Sequence, residues 1–265
     1  MTRICPGRIP QDCQGLFATM EALAARFASL APKSGHLSLL DLSGLRPLLE
    51  QEAGLHFLTS LLSPAEACLL AGFTYPKRRL EWLGGRLAAK HCLSRLSPPK
   101  QSAQSFYCDY SFLPDAFGRP ALDPSSDGGI TVPAISISHS RGYAAALVTT
   151  TKTCGIDIQL KTEQLATVQE RFASADEIAL LHQVPAPLTR LGIIWTAKEA
   201  VKKCLLSDQS TFFGTISLTE ISYESNEAIW TACCQVTGRV KTAASVRIAE
   251  FGDYLIACTA GDLYA

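Results

Sequence analysis

Three short stretches carry the residues whose types and spacing could do chemistry. Gly155-Ile156-Asp157-Ile158-Gln159 alternates as a strand, so Ile156 and Ile158 share one face while Asp157 and Gln159 share the other. Trp195-Thr196-Ala197-Lys198-Glu199-Ala200-Val201-Lys202-Lys203 reads as a helix with Glu199 and Lys203 one turn apart. Ser136-Ile137-Ser138-His139-Ser140 ends its alternation at a polar turn, where His139 beside two hydroxyls can donate to phosphate oxygens. Together they describe a divalent-metal site facing a base and a cation, an arrangement suited to chemistry on a phosphate.

Each stretch alone has an ordinary explanation. Asp157 can be an aspartate satisfied at a strand end, and His139 a solvated loop histidine. Glu199 and Lys203 have the favoured order of a surface ion pair, worth only about 0.2–0.5 kcal/mol. Trp195 suits a core as well as a site. A Ser-His-Asp triad using Asp157 is conceivable, but no Gly-x-Ser-x-Gly elbow supports it. The order and company of the three stretches give them weight.

The elements that must position them follow from periodicity. Phe17, Met20, Leu23, Phe27 and Leu30 step by three and four, giving an amphipathic helix over 14–30. A strand is expected over 36–42, a leucine-rich helical stretch over 44–62, and a capping-box helix start at Ser63-Pro64-Ala65-Glu66. A further helix spans 76–96, ended by Pro98-Pro99. Residues 101–133 read as a loop between halves. Strands follow at 134–138, 143–150 and 154–160, helices at 176–183 and 189–205, and strands near 215–223, 229–236, 243–250 and 253–260. Segregated runs of helix and strand suggest an α+β fold.

The chain of 265 residues balances 24 basic against 24 acidic side chains, which argues against a nucleic-acid-coating protein. One local excess stands out. Lys77, Arg78, Arg79, Arg86, Lys90, Arg95 and Lys100 face a single acid, Glu81, which makes either a solvated helix face or a patch for a polyphosphate or an acidic partner. The ten cysteines form no Cys-x-x-Cys pair and the five histidines show no zinc spacing, so reduced thiols in a cytoplasmic protein are expected. No apolar run reaches membrane-span length, and no secretory signal is expected.

These motifs, in this order, resemble the 4′-phosphopantetheinyl transferases, specifically the longer surfactin- and enterobactin-type branch. The resemblance runs through Leu62–Glu66, Gly85-Arg86-Leu87-Ala88-Ala89, Gly118-Arg119-Pro120, Ser138-His139-Ser140, Gly155–Gln159, Phe172-Ala173 to Glu177, Trp195–Lys203 and Phe212-Phe213-Gly214. It covers roughly residues 60 to 220.

It implies an enzyme that transfers the phosphopantetheine arm of coenzyme A to a serine of an apo carrier protein (acyl or peptidyl), releasing 3′,5′-ADP. The implied fold is two similar α/β halves, a pseudo-dimer with the active-site cleft between them. By the same resemblance Asp157 and Glu199, with Gln159, would ligate Mg²⁺, Mn²⁺ being an allowed substitute. Glu199, Lys203 and Asp157 would be catalytic, and Arg79, Arg86, Arg119, Ser138, His139, Lys198 and Lys203 would hold coenzyme A. Gln159 departs from the family's glutamate and brings no charge to the metal. Residues 1–55 are assigned to an N-terminal extension plus first strand, 56–133 to the rest of the N-terminal half, and 134–265 to the C-terminal half. A monomer is expected, since both sides of the cleft lie in one chain, with no membrane partner. A non-catalytic coenzyme A- or carrier-binding homologue and a Mg²⁺-dependent phosphohydrolase using Asp157 are the alternatives.

Overall fold

The computed structural model describes residues 11–98, 103–123, 133–206, 214–237 and 242–261. The N-terminal half begins with α1 (Gln11–Arg26), β1 (Gly35–Asp41), α2 (Leu42–Glu50), α3 (Glu52–Ser60), α4 (Pro64–Ala71) and α5 (Pro76–Leu96). Then come α6 (Ala103–Asp109), the short strands β2 (Phe112–Pro114) and β3 (Pro120–Leu122), and the hairpin β4 (Ala134–Ser140) and β5 (Tyr143–Thr149). The C-terminal half holds β6 (Thr153–Leu160), α7 (Glu163–Thr167), α8 (Ala175–Leu180), α9 (Pro187–Leu205), β7 (Ile216–Glu224), β8 (Ile229–Val236), β9 (Thr242–Phe251) and β10 (Tyr254–Gly261). Among the described residues no helix is long and apolar enough to cross a membrane.

Two antiparallel sheets form the frame, ordered β1-β5-β4 and β6-β10-β9-β8-β7. Alternation divides each strand between two cores. Leu40, Ala144, Ala146 and Val148 turn toward α5. Leu37, Leu39, Ala145 and Leu147 turn the other way, onto Ile156, Ile158, Ile256 and Cys258 of the second sheet. The opposite face of that sheet, with Leu255 and Ala257, packs on α9. The layers are therefore helix, sheet, sheet, helix, and α5 and α9 occupy corresponding places in two α/β halves.

The hairpin β4–β5 differs from its expected assignment. Its strand β5 pairs with β1 in full register, Gly35 opposite Thr149 and Asp41 opposite Tyr143, so residues 134–149 lie in the sheet of β1 and the second sheet starts at β6. Residues 101–133 looked like a linker because β2 and β3 are too short to show a period. In fact Phe106, Tyr107, Tyr110, Phe112 and Leu122 are buried in the α5 core. Residues 124–132 and the pair Phe212-Phe213 lie outside the described residues.

The two sheets meet edge to edge at β4 and β6 through side chains. The hydroxyls of Ser136, Ser138 and Ser140 accept the amides of Ile156, Ile158 and Leu160 at 3.1, 3.4 and 3.1 Å. Edge amides that would otherwise lack partners are thus satisfied across the junction.

Candidate active site at the junction of the halves

Asp157 lies on the α9 side of β6, as alternation requires. Its side chain is almost wholly buried, and one oxygen, Oδ1, takes two donors at 2.8 Å: the Ser138 hydroxyl and the Lys203 ammonium. Lys203 also donates to the Ile156 carbonyl at 2.9 Å. Helix and strand can come this close because residue 155 is glycine. A Cβ there would sit 1.9 Å from the Ala200 carbonyl oxygen.

The second oxygen of Asp157, Oδ2, is buried and has no hydrogen-bond partner. A buried carboxylate oxygen without a donor is costly and marks a place for a cation or an unmodified donor from a ligand. Glu199 stands one turn before Lys203 on α9. Its carboxyl is raised above the ordinary range, first by burial and then by the charge of Asp157, with Lys203 opposing. The two acids therefore act on one another, and a bound cation would relieve both. Among the described residues no group of three or more His, Cys, Asp or Glu side chains is placed to hold a metal ion. Gln159, on the Asp157 face, donates its Nε2 to the Leu160 carbonyl at 2.8 Å.

His139 is on β4, not on a turn. The strand runs on to Ser140, and the segment is polar because its serines serve the β6 edge. The alternation sends His139 to the α5 side with Ile135 and Ile137. There Nδ1 is 3.6 Å from Glu81 and Nε2 is 3.5 Å from Arg78. Burial holds the imidazole below its ordinary value, Glu81 opposes this, and Arg78, Lys203 and Lys77 add to it. His139, Ser138, Asp157, Glu199 and Lys203 thus gather where α5, β4, β6 and α9 converge.

Other expected coenzyme A contacts lie elsewhere. Lys198 is sealed at 3% side-chain exposure, with its ammonium on the Phe172 carbonyl at 2.7 Å and the Glu177 carboxylate at 2.7 Å. It is neighbour to Glu199 in sequence but about 100° round the helix, so it faces the core and not the cleft. Arg86 is also buried. Its Nε donates to the Phe112 carbonyl at 2.8 Å and its guanidinium lies 4.8 Å from the centroid of Trp82. Desolvation brings Arg86 down to about 10. Arg79 lines a cavity of about 440 Å³ with Arg46 and Lys77, its Nε buried and unpartnered. Arg119 sits in the β2–β3 turn, paired with Asp115 at 2.6 Å and lying over Phe117.

Residue types alone gave Glu81 no partner and did not reveal the buried lysine clamps. Lys90 is fully buried on Glu66 at 2.7 Å, and also donates to the carbonyls of Tyr107 and Tyr110. Glu66 caps α4 from Ser63 and accepts the Phe112 amide; Glu177 caps α8 from Ser174 and accepts the Leu218 amide. The signal was present in the chain as a repeated Ser-x-x-Glu with a lysine some twenty residues on.

Comparison with known proteins places these residues in context. The model of the 4′-phosphopantetheinyl transferase superfamily matches residues 153–259, which runs from β6 into β10 and includes Asp157, Glu199 and Lys203. A holo-[acyl-carrier-protein] synthase of Halalkalibacterium halodurans is 31% identical over 112 residues, 42% of this chain and 89% of that protein. The 4′-phosphopantetheinyl transferase HetI of Nostoc sp. is 28% identical over 162 residues, 59% of this chain and 65% of that one. A crystal structure of a holo-(acyl-carrier-protein) synthase from Bacillus anthracis aligns with TM-score 0.36 at 24% identity, over 42% of this chain and 90% of that chain.

Proposed function

The chain belongs to the 4′-phosphopantetheinyl transferase superfamily, and we infer that it transfers the 4′-phosphopantetheine group of coenzyme A to a serine of an apo carrier protein at the junction of its two halves, releasing 3′,5′-ADP. The observation that carries the assignment of the site is the state of Asp157. One oxygen is held by Ser138 and Lys203, and the other is buried without a donor beside the raised carboxyl of Glu199.

The donor set fits Mg²⁺. A hard cation prefers oxygen ligands and needs few from the protein when a substrate phosphate supplies the rest. Asp157 and Glu199 would hold it, with the Gln159 carbonyl oxygen available on the same strand face. When bound it would neutralise the pyrophosphate and polarise the phosphorus under attack. Mn²⁺ meets the same donor set.

The protein's own residues do the rest. Glu199, its basicity raised by burial and by Asp157, accepts the proton of the carrier serine as that oxygen bonds to the phosphorus bearing the pantetheine arm. The bond from that phosphorus to the bridging oxygen breaks, and the electron pair leaves with 3′,5′-ADP. Lys203, its side chain 27% exposed on the last turn of α9, counters the charge that develops there. His139 and Arg78 offer nitrogen donors to a second phosphate group. Both walls of the site come from one chain, which supports a monomer; coenzyme A as donor supports a cytoplasmic setting.

Purified protein, coenzyme A and Mg²⁺ incubated with a panel of apo carrier proteins test the assignment. One carrier or more should gain a single phosphopantetheine mass. Binding of coenzyme A with no transfer to any carrier would overturn it.

A further inference from the structure

Glu81 is the one acid in the basic run from Lys77 to Lys100. It is not a solvated charge. Its side chain is 9% exposed although it sits on the helix that carries Lys77, Arg78, Arg79 and Arg86. Lys77 reaches it only from solvent at 3.8 Å, with 78% of its own side chain exposed. The other group near it is the imidazole of His139, a cation only when both ring nitrogens carry protons, whose Nδ1 lies 3.6 Å away. That separation is ion-pair reach and longer than a hydrogen bond. It nonetheless sets which nitrogen of the ring faces the carboxylate and which faces Arg78.

We propose that Glu81 is a positioning residue for the transfer reaction, holding His139 with Nδ1 inward so that Nε2 is presented to a phosphate of coenzyme A. The inference rests on the reading of the site given above and names a residue that reading did not use. Two features of the packing make the arrangement rigid. His139 is carried on β4, whose neighbours Ser138 and Ser140 are tied to β6. On the other side α5 lies against β4 so closely that a Cβ on Gly85 would be 2.7 Å from the Ile137 side chain. The distance from Glu81 to His139 is thus set by packed elements and not by a flexible loop.

The electrostatics explain why an acid is needed. Lys77 and Arg78 on α5 and Lys203 on α9 all face His139, and each disfavours a second proton on the ring. Glu81 is the opposing charge. A phosphate oxygen arriving at Nε2 needs a donor there; its charge and that of Glu81 together favour the ring with protons on both nitrogens, which supplies one. Without Glu81 the second proton is harder to place, and a ring with its one proton on Nδ1 meets the phosphate with a lone pair.

Glu81→Gln keeps the volume and removes the charge. The expected result is a KM for coenzyme A raised roughly tenfold, the scale on which orienting partners behind a ligand-contacting histidine act, with kcat for carrier modification little changed. Glu81→Asp, which keeps the charge, should recover part of the loss. Glu81→Gln made in a His139→Asn background should add almost nothing, since its effect runs through the ring. Nitrogen chemical shifts of His139 should show that Glu81→Gln lowers the pH at which the ring takes its second proton. Full additivity of the two substitutions, or an unmoved His139 titration, would overturn the inference. The titration is read without turnover, so a failed transfer assay would strike the assigned reaction and leave this test standing.

Discussion

Lys198 and Glu177 make a sealed bridge, 2.7 Å long, between α9 and the first turn of α8. Lys90 and Glu66 make its counterpart between α5 and the first turn of α4 in the other half. In each case one glutamate caps a helix, accepts a strand amide and neutralises a lysine. The pairing locks the helix that carries site residues onto its own half, and it removes the lysine from the cleft.

Lys198→Met should therefore behave as a folding variant. Leaving Glu177 charged and buried without its partner costs about 3–5 kcal/mol, to be seen as a lower urea midpoint. Lys203→Met should cost less stability, because Lys203 is 27% exposed where Lys198 is 3% exposed, and Ser138 still donates to Asp157 Oδ1. Its midpoint should fall less than that of Lys198→Met while transfer falls at least a hundredfold, about 2.7 kcal/mol of transition-state stabilisation. A Lys198→Met protein as stable as the parent would contradict the clamp.

Gln159 brings an amide where a charged oxygen would strengthen a metal site. Gln159→Glu should tighten Mg²⁺ in the absence of coenzyme A and change affinity far less in its presence, where the pyrophosphate supplies charge. Calorimetric titration with and without coenzyme A measures the difference. Equal metal affinity in both proteins under both conditions would dismiss a role for residue 159.

Stability should decline as pH falls through the histidine range. Burial is the first cause that holds His36, His91 and His139 below the ordinary 6.5, so the folded chain without ligand takes up their second protons less readily than the unfolded chain. The unfolded chain takes up protons first, and stability present above about 6.5 is lost as pH falls toward the folded values. His91, held between the Ser38 hydroxyl and Glu21 at 2.5 and 2.9 Å, titrates inside the fold. His91→Gln should flatten the dependence of Tm on pH between about pH 7 and 5. An unchanged slope would show that His91 does not contribute.

The described cysteines divide by burial. Cys68 is exposed, whereas burial pushes Cys92 and Cys258 up to about 12. Brief alkylation of the native protein followed by peptide mapping should mark Cys68 and leave Cys92 and Cys258 unmodified until denaturant is added. Equal labelling of all three would contradict the packing around β1, β5 and β10.

Much of the site was legible because its residues obey short-range periodicity. The alternation through Ile156, Asp157, Ile158 and Gln159 placed the acid correctly, and one helical turn separates Glu199 from Lys203. The interval 76–96 matched α5 at both ends. What could not be read depends on partners distant in the chain. Nothing local says that the charges of Lys90 and Lys198 are buried, since Glu66 and Glu177 lie more than twenty positions away. The place of β5 in the first sheet could not be read for the same reason: its partner β1 is about a hundred residues upstream. The break at Gln51 between α2 and α3 was hidden by continuous leucines on both sides.

Manganese binding, followed by electron paramagnetic resonance in the presence of coenzyme A, tests most directly whether Asp157 and Glu199 serve a single cation. One tight site is expected in the parent protein, weakened at least tenfold by either Asp157→Asn or Glu199→Gln. Undiminished affinity in both variants would mean that the two carboxylates do not share an ion, and the proposed site would fall.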